Sequence, residues 1–271
     1  MSLESPDAGF TRHAGTSALI ISMPHVGTEL PRDIAEQLTA AGLKVADTDW
    51  HVDQLFAFAQ QAGASWLRAR YSRYVIDLNR PPDDQSLYPG RITTPLCPTE
   101  SFAGERLYRA AGPAAAEIAR RRERYWLPYH TALRELIDAT RRRCGHALLL
   151  EAHSIRSEVP RLFSGRLPDV NVGTNDGRSC APTLSATVVA ALARQSRFTH
   201  VLNGRFKGGY ITRAYGQPHA GTHALQLELA QRAYMDESAT AFDAARARPL
   251  EAVLREIVAG MLAFAPPDPA R

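Results

Sequence analysis

"HALLLEAHS" (residues 146–154) is the stretch that decides the fold. Ala147 to Leu150 form a short, unbroken apolar run, and Glu151, His153 and Ser154 follow it at once. A run of this kind suits a strand buried on both faces, the habit of a parallel sheet covered by helices. In open α/β sheets ligands bind beyond the carboxyl ends of the strands, so a polar strand end is where chemistry is sought.

Outward from this strand the chain alternates. "SALIIS" (17–22) reads as a strand running through Met23 and Pro24 into His25, and "SWLRARYS" (65–72) and "RYVIDLN" (73–79) as strand material. "THVLNG" (199–204) is a strand, and "THALQLELA" (222–230) is a strand or the start of a helix. Helical periodicity covers 31–42, opened by Pro31, then 53–63, 104–143 with a kink available at Pro128, 180–195 and 236–264. "RPPDDQSLYPG" (80–90) is loop by its proline and glycine, and residues 1–16 are a loose start. With no internal repeat or linker, the pattern predicts one α/β domain over 1–271, its mostly parallel mixed sheet flanked by helices.

The 271 residues are 45% hydrophobic and 22% charged, ordinary for a soluble globular protein. Net charge is only +4 although the pI is about 9.1. The basic residues are dispersed or lie in short runs such as "RRRER" (120–124) and "RRR" (141–143), which read as solvated helix faces rather than a nucleic-acid surface. Cys97, Cys144 and Cys180 are odd in number and widely spaced, against a disulfide framework or a cysteine zinc site. No signal peptide or membrane-length apolar run is present, so the expectation is a cytoplasmic protein without a membrane partner. Oligomeric state is left open.

The strand ends collect His25, Asn79 with Arg80, Glu151 with His153, and Glu228 in "LQLEL". "DTDWHVD" (47–53) adds aspartates and a histidine at a helix start, where aspartates also serve as caps. Two imidazoles and a carboxylate from separate strand ends make a zinc site for hydrolysis. Glu228, between Leu227 and Leu229, should be partly desolvated, with its pKa raised toward the range of a general base. Ser154 has no G-x-S-x-G elbow around it, and "NVGTNDG" (171–177) lacks the lysine and spacing of a P-loop, so it reads as a loop flanking the pocket.

"SMPHVGTELP", "DTDWHVDQL", "SRYVIDLNRPP", "LYPG", "EAHSI", "PRLFSGRLPDVNVGT", "NGRFKGGYITRAYG" and "HALQLELAQRAYM", in this order from about residue 17 to residue 236, resemble the N-formylglutamate deformylase (N-formylglutamate amidohydrolase) family. The resemblance implies a fold related to zinc carboxypeptidases and amidases. It also implies hydrolysis of N-formyl-L-glutamate to L-glutamate and formate, in histidine degradation. By it, His25 and His153 bind Zn²⁺, or another divalent transition metal. Asp49 supplies the acidic ligand, with Asp53 as the runner-up, and Glu228 is the general base. Glu29 stands in an HxxxE rather than an HxxE spacing, which argues against it as a ligand.

A formyl group offers little to bind, so recognition falls to the two carboxylates of the glutamate half, a task for arginine forks. The candidates are Arg80, Arg205 and Arg213, with Asn79, Tyr210 and Lys207 as helpers and Gly204, Gly208 and Gly209 shaping a loop over a small anion. Gly27, beside His25, is expected to leave room for water and substrate. Two rivals stand beside this reading. One is a zinc-dependent N-acyl amino-acid deacylase of different acyl specificity. The other is a non-catalytic acidic amino-acid binding protein, which would keep the arginines but need neither both histidines nor Glu228.

Overall fold

The computed structural model describes residues 9–87, 90 and 93–266. Tyr88 and Pro89 of the "LYPG" motif, and the first eight residues of the expected loose start, lie outside them. The strands are β1 (Phe10–His13), β2 (Leu19–Met23), β3 (Ser65–Ala69), β4 (Ala147–Ile155), β5 (Val170–Gly173), β6 (His200–Leu202), β7 (Thr222–Ala230), β8 (Met235–Asp236) and β9 (Ala241–Phe242). The helices are α1 (Arg32–Ala35), α2 (Ala40–Leu43), α3 (Val52–Leu55), α4 (Ala115–Arg121), α5 (Leu127–Cys144), α6 (Pro182–Ala193), α7 (Tyr210–Tyr215) and α8 (Ala244–Leu262).

A seven-stranded sheet has the order β1-β3-β2-β4-β7-β5-β6. Its centre, β3-β2-β4-β7, is parallel, as the buried apolar runs imply. β1 joins β3, and β5 joins β7, in antiparallel fashion, which makes the sheet mixed. Side-chain alternation divides the core. Leu148, Leu150, Leu225 and Leu227 face the layer of α6 and α8, whereas Ala147, Leu149 and Ala224 face α5. Glu151 and His153 therefore share the α5 face with Gln226 and Glu228, and the register sets Glu151 opposite Gln226 and His153 opposite Glu228. Among the described residues no helix is long and apolar enough to cross a membrane.

Several expectations are corrected. Phe10–His13, inside the segment read as loose, is an edge strand. Residues 31–42 form two short helices, because Leu38 bridges to Tyr108 and Thr39 caps a new helix by accepting from Gly42 N. "RYVIDLN" is not a strand but a chain of turns: Ser72 Oγ accepts from Tyr74 N and Asp77 Oδ1 from Asn79 N, local bonds that displace a ladder. The long helix begins at Ala115, past Gly112 and Pro113, and its irregularity is a π-helical turn, Arg122–Trp126, just before Pro128, which has no N–H to donate. "NVGTNDG" opens as strand β5, and the β8–β9 hairpin occupies the start of the stretch expected to be helical from 236. "THALQLELA" is a strand throughout.

Candidate active site

His25 follows β2 and is buried, its ring centroid 4.8 Å from that of His153. His25 Nε2 lies 2.6 Å from Asp77 Oδ1 in the turn region 73–79. Asp77 Oδ2 in turn accepts from Arg73 Nη2 at 2.6 Å. The Arg73 guanidinium and His25 hold the Asp77 carboxyl well below the usual range against the opposing effect of burial. Burial, together with Arg73, lowers the pKa of His25. A neutral imidazole that donates its Nε2–H to Asp77 presents a lone pair on Nδ1, and Nδ1 is buried with no hydrogen-bond partner among the described residues.

His153 is built in the same way. Its Nε2 lies 2.7 Å from Glu151 Oε1, and its Nδ1 lies 2.7 Å from Asp49 Oδ2. Glu151 is fixed through its other oxygen by the backbone N–H of Thr212 at 2.9 Å and by the Thr212 hydroxyl. Burial alone would lower the pKa of His153, but Glu151 and Asp49 outweigh it and raise it well above the ordinary imidazole value. His153 Nδ1 and Asp49 Oδ2 thus face each other at the place where a cation would bind.

The donor set fits a metal. His25, Asp49 and His153 are all buried, and one ligand atom from each lies within 4.8 Å of the others. Both imidazoles have the outer nitrogen oriented by a carboxylate, the support that fixes metal-binding histidines. The orphaned Nδ1 of His25 faces Asp49 Oδ2 across 3.7 Å. Asp53 instead pairs with Arg68 at 2.9 Å, and Glu29 pairs with Arg70 near the surface.

Glu228 is buried beside this cluster, and Gln226 Nε2 donates to its Oε2 at 3.1 Å. Burial, chiefly, pushes its carboxyl up to about 8; His153 opposes the shift and Asp49 adds to it. The folded value lies above that of a free glutamate, so the stabilisation from the protonated form is complete below about pH 4.5 and is lost as pH rises through about 8. For the metal-free protein, melting curves of wild type and Glu228→Gln should therefore diverge in favour of the glutamine variant as pH rises over that window. A constant difference would show that Glu228 is ionised throughout.

One cavity is lined by His25, Asp49, His153 and Glu228 and also by Arg73, Asn79, Arg80 and Arg205. Asn79 Nδ2 stands 3.0 Å from His153 Nε2, and its Oδ1 accepts from Ile211 N. Arg80 donates to the Thr94 carbonyl and hydroxyl and to the Asn79 carbonyl, and Arg205 Nε donates to the Leu162 carbonyl, so the backbone holds both at the cavity wall. Tyr210 and Arg213 are not brought to this cavity. At the start of α7 the backbone amides of Gly209, Ile211 and Thr212 face the site side chains, which sends the Tyr210 ring against Trp126 and His130. Arg213 folds back to the Gly208 carbonyl. Gly27 does not make room for substrate: a Cβ there would stand 2.3 Å from the Tyr71 carbonyl, so the glycine permits close packing of the chain on β3's end. Sequence reasoning missed Asp77 and Arg73. Their signal was a polar pair four apart inside an otherwise apolar stretch.

The model of the family described as N-formylglutamate amidohydrolase matches residues 17–235. The chain belongs to the N-formylglutamate amidohydrolase family. Among its relatives, an N-formylglutamate deformylase of Pseudomonas aeruginosa is 50% identical over 92% of this chain and 94% of the relative. One of Pseudomonas putida is 46% identical over 93% and 95%. The crystal structure of N-formylglutamate amidohydrolase from Ralstonia eutropha matches with a TM-score of 0.78 at 26% identity, covering 94% of this chain and 96% of that one. A gene product of Agrobacterium tumefaciens, 19% identical with a TM-score of 0.72, shares the fold. Every residue of the buried cluster lies inside the span matched by the N-formylglutamate amidohydrolase model.

Proposed function

We propose that the protein is a metal-dependent amidohydrolase that cleaves N-formyl-L-glutamate to formate and L-glutamate. The observation that carries the reading is the convergence of the inner atoms of His25, Asp49 and His153 in the cavity that also holds buried Glu228. The names of the Pseudomonas relatives support the substrate. The placement of the two histidines, one just past β2 and one near the end of β4, supports a fold of the zinc carboxypeptidase and amidase type. Two imidazoles and a carboxylate favour zinc, and the same donors accept iron, cobalt or manganese.

When bound, the ion supplies Lewis acidity to water and to the formyl carbonyl. Glu228, raised toward neutrality by burial, takes the proton of the attacking water and delivers it to the leaving amine nitrogen of glutamate. Arg73 lines the cavity with a buried Nε that has no hydrogen-bond partner among the described residues, and its guanidinium stabilises the negative charge that develops on the formyl oxygen. Asp77 and Glu151 keep His25 and His153 in the tautomer that offers Nδ1.

Arg80 and Arg205 serve the two carboxylates of the glutamate half. Hydrogen bonds to charged groups contribute ~1.5–3 kcal/mol, so Arg205→Ala should raise KM for N-formyl-L-glutamate by roughly tenfold to a hundredfold with a smaller fall in kcat. Steady-state kinetics decide it, and an unchanged KM removes Arg205 from substrate binding. The reading as a whole is tested by formate release from N-formyl-L-glutamate, before and after chelation and after zinc is returned. Activity should vanish with the metal and come back with it. A fully metallated protein that yields no formate overturns the substrate.

A further inference from the structure

Ser154 has no part in the reaction above, although it follows His153 directly. Alternation along β4 turns its side chain to the face opposite His153. There its buried hydroxyl lies 2.7 Å from Tyr234 Oη and 3.4 Å from Gln231 Nε2. Tyr234 Oη donates to the Trp50 carbonyl at 2.7 Å, and Gln231 Nε2 to the Thr48 carbonyl at 3.0 Å. The directions are thereby fixed: the tyrosine proton goes to Trp50, so Ser154 donates to the tyrosine oxygen and accepts from the amide.

Thr48 and Trp50 are the residues on either side of Asp49. The N–H of Asp49 itself donates to the His25 carbonyl at 3.0 Å. Asp49 sits in a stretch that is neither helix nor strand, between Val45 (φ 44°) and His51 (φ 60°). Left-handed backbone at a β-branched residue is costly and persists only where the surroundings impose it. The flanking carbonyls of Asp49 are held from behind the sheet, while its carboxylate reaches His153 on the front.

We propose that Ser154, Gln231 and Tyr234 form a clamp that positions Asp49, tying this ligand to the strands that carry His153 and Glu228. The function of the clamp rests on the metal-site reading above. These are positioning residues: Gln231 and Tyr234 hold the backbone on either side of Asp49, Ser154 joins the two through its hydroxyl, and the reaction above uses none of the three side chains.

Tyr234→Phe removes one hydroxyl and leaves the ring in the core. Outer support of a metal ligand is worth about 10–100-fold in affinity, so the variant should bind zinc about tenfold or more weakly in competition with a chromophoric chelator. Amide exchange across residues 48–51 of the metal-free variant should also be faster. In an Asp49→Ala background the same substitution should cost no further affinity, because the hydroxyl acts through Asp49. Ser65→Ala, which removes a buried hydroxyl bonded to Gly15 N at the start of β3, should keep wild-type zinc affinity and so gauge the loss of any buried hydrogen bond. Wild-type affinity in Tyr234→Phe, or an equal drop with and without Asp49, overturns the clamp. If the wild-type protein takes up no zinc, the metal reading fails by itself. Amide exchange then decides: unchanged protection of 48–51 overturns the clamp, and faster exchange supports it.

Discussion

Glu228→Gln is expected to lower kcat for formate release by about 10²–10⁴-fold, the usual contribution of a positioned general base. Zinc should still bind with one equivalent, because the three donor atoms belong to other residues. The fold should also tolerate the change. Burial already favours the neutral carboxyl at this position, and an amide is close to it in shape and charge. Gln226 Nε2 can keep its bond to the side-chain oxygen that remains. KM should move little, since Glu228 acts on water and the leaving nitrogen rather than on the glutamate carboxylates. Kinetics, zinc content and melting temperature would be measured on one preparation. A kcat within tenfold of wild type would move the base to another residue.

The parts of this site legible in the sequence are those that sit on regular strands. The apolar run of β4 and the alternation of β7 bring His153, Glu151 and Glu228 to one face, because both strands are central and parallel. Asp77 was hidden because Val75, Ile76 and Leu78 imitate a strand; they are buried, but the segment is held by side-chain turns and has no ladder. Its contact with His25 spans 52 residues of sequence, and no local pattern encodes a contact at that distance. Which aspartate stands beside the histidines is likewise tertiary: Asp49 Oδ2 lies 2.7 Å from His153 Nδ1, whereas Asp53 pairs with Arg68 on β3. Tyr210 and Arg213 misled for a different reason. Glycines read as an anion loop open a short helix instead, which meets the site through backbone amides and the Thr212 hydroxyl rather than through Tyr210 or Arg213. Gly209 allows this approach, since a Cβ there would stand 2.2 Å from Asn79 Nδ2.

Arg73→Met should be the most damaging single change outside the metal ligands, for two separable reasons. The guanidinium is buried and forms a 2.6 Å ion pair with Asp77. Removing one partner of such a pair costs about 3–5 kcal/mol, because the other charge stays buried and unpaired. Urea unfolding of the metal-free protein would read this loss. The relief open to Asp77 is to draw a second proton onto His25, and Arg73 is one of the groups that now lower the pKa of that imidazole. A doubly protonated His25 has no lone pair for a metal. Zinc affinity of the variant should therefore fall more steeply than that of wild type as pH drops from about 8 to about 6, the range in which an imidazole titrates. Loss of the positive group facing the formyl oxygen should lower kcat by a further ~10²–10³-fold even at saturating zinc. Arg73→Lys separates the two effects. An ammonium retains the charge beside Asp77 and should preserve zinc binding, but it lacks the planar fork that can serve Asp77 and the cavity together. If the lysine variant binds zinc normally and remains slow, Arg73 acts on the carbonyl as well as on His25; if it regains full activity, charge beside Asp77 is its whole contribution.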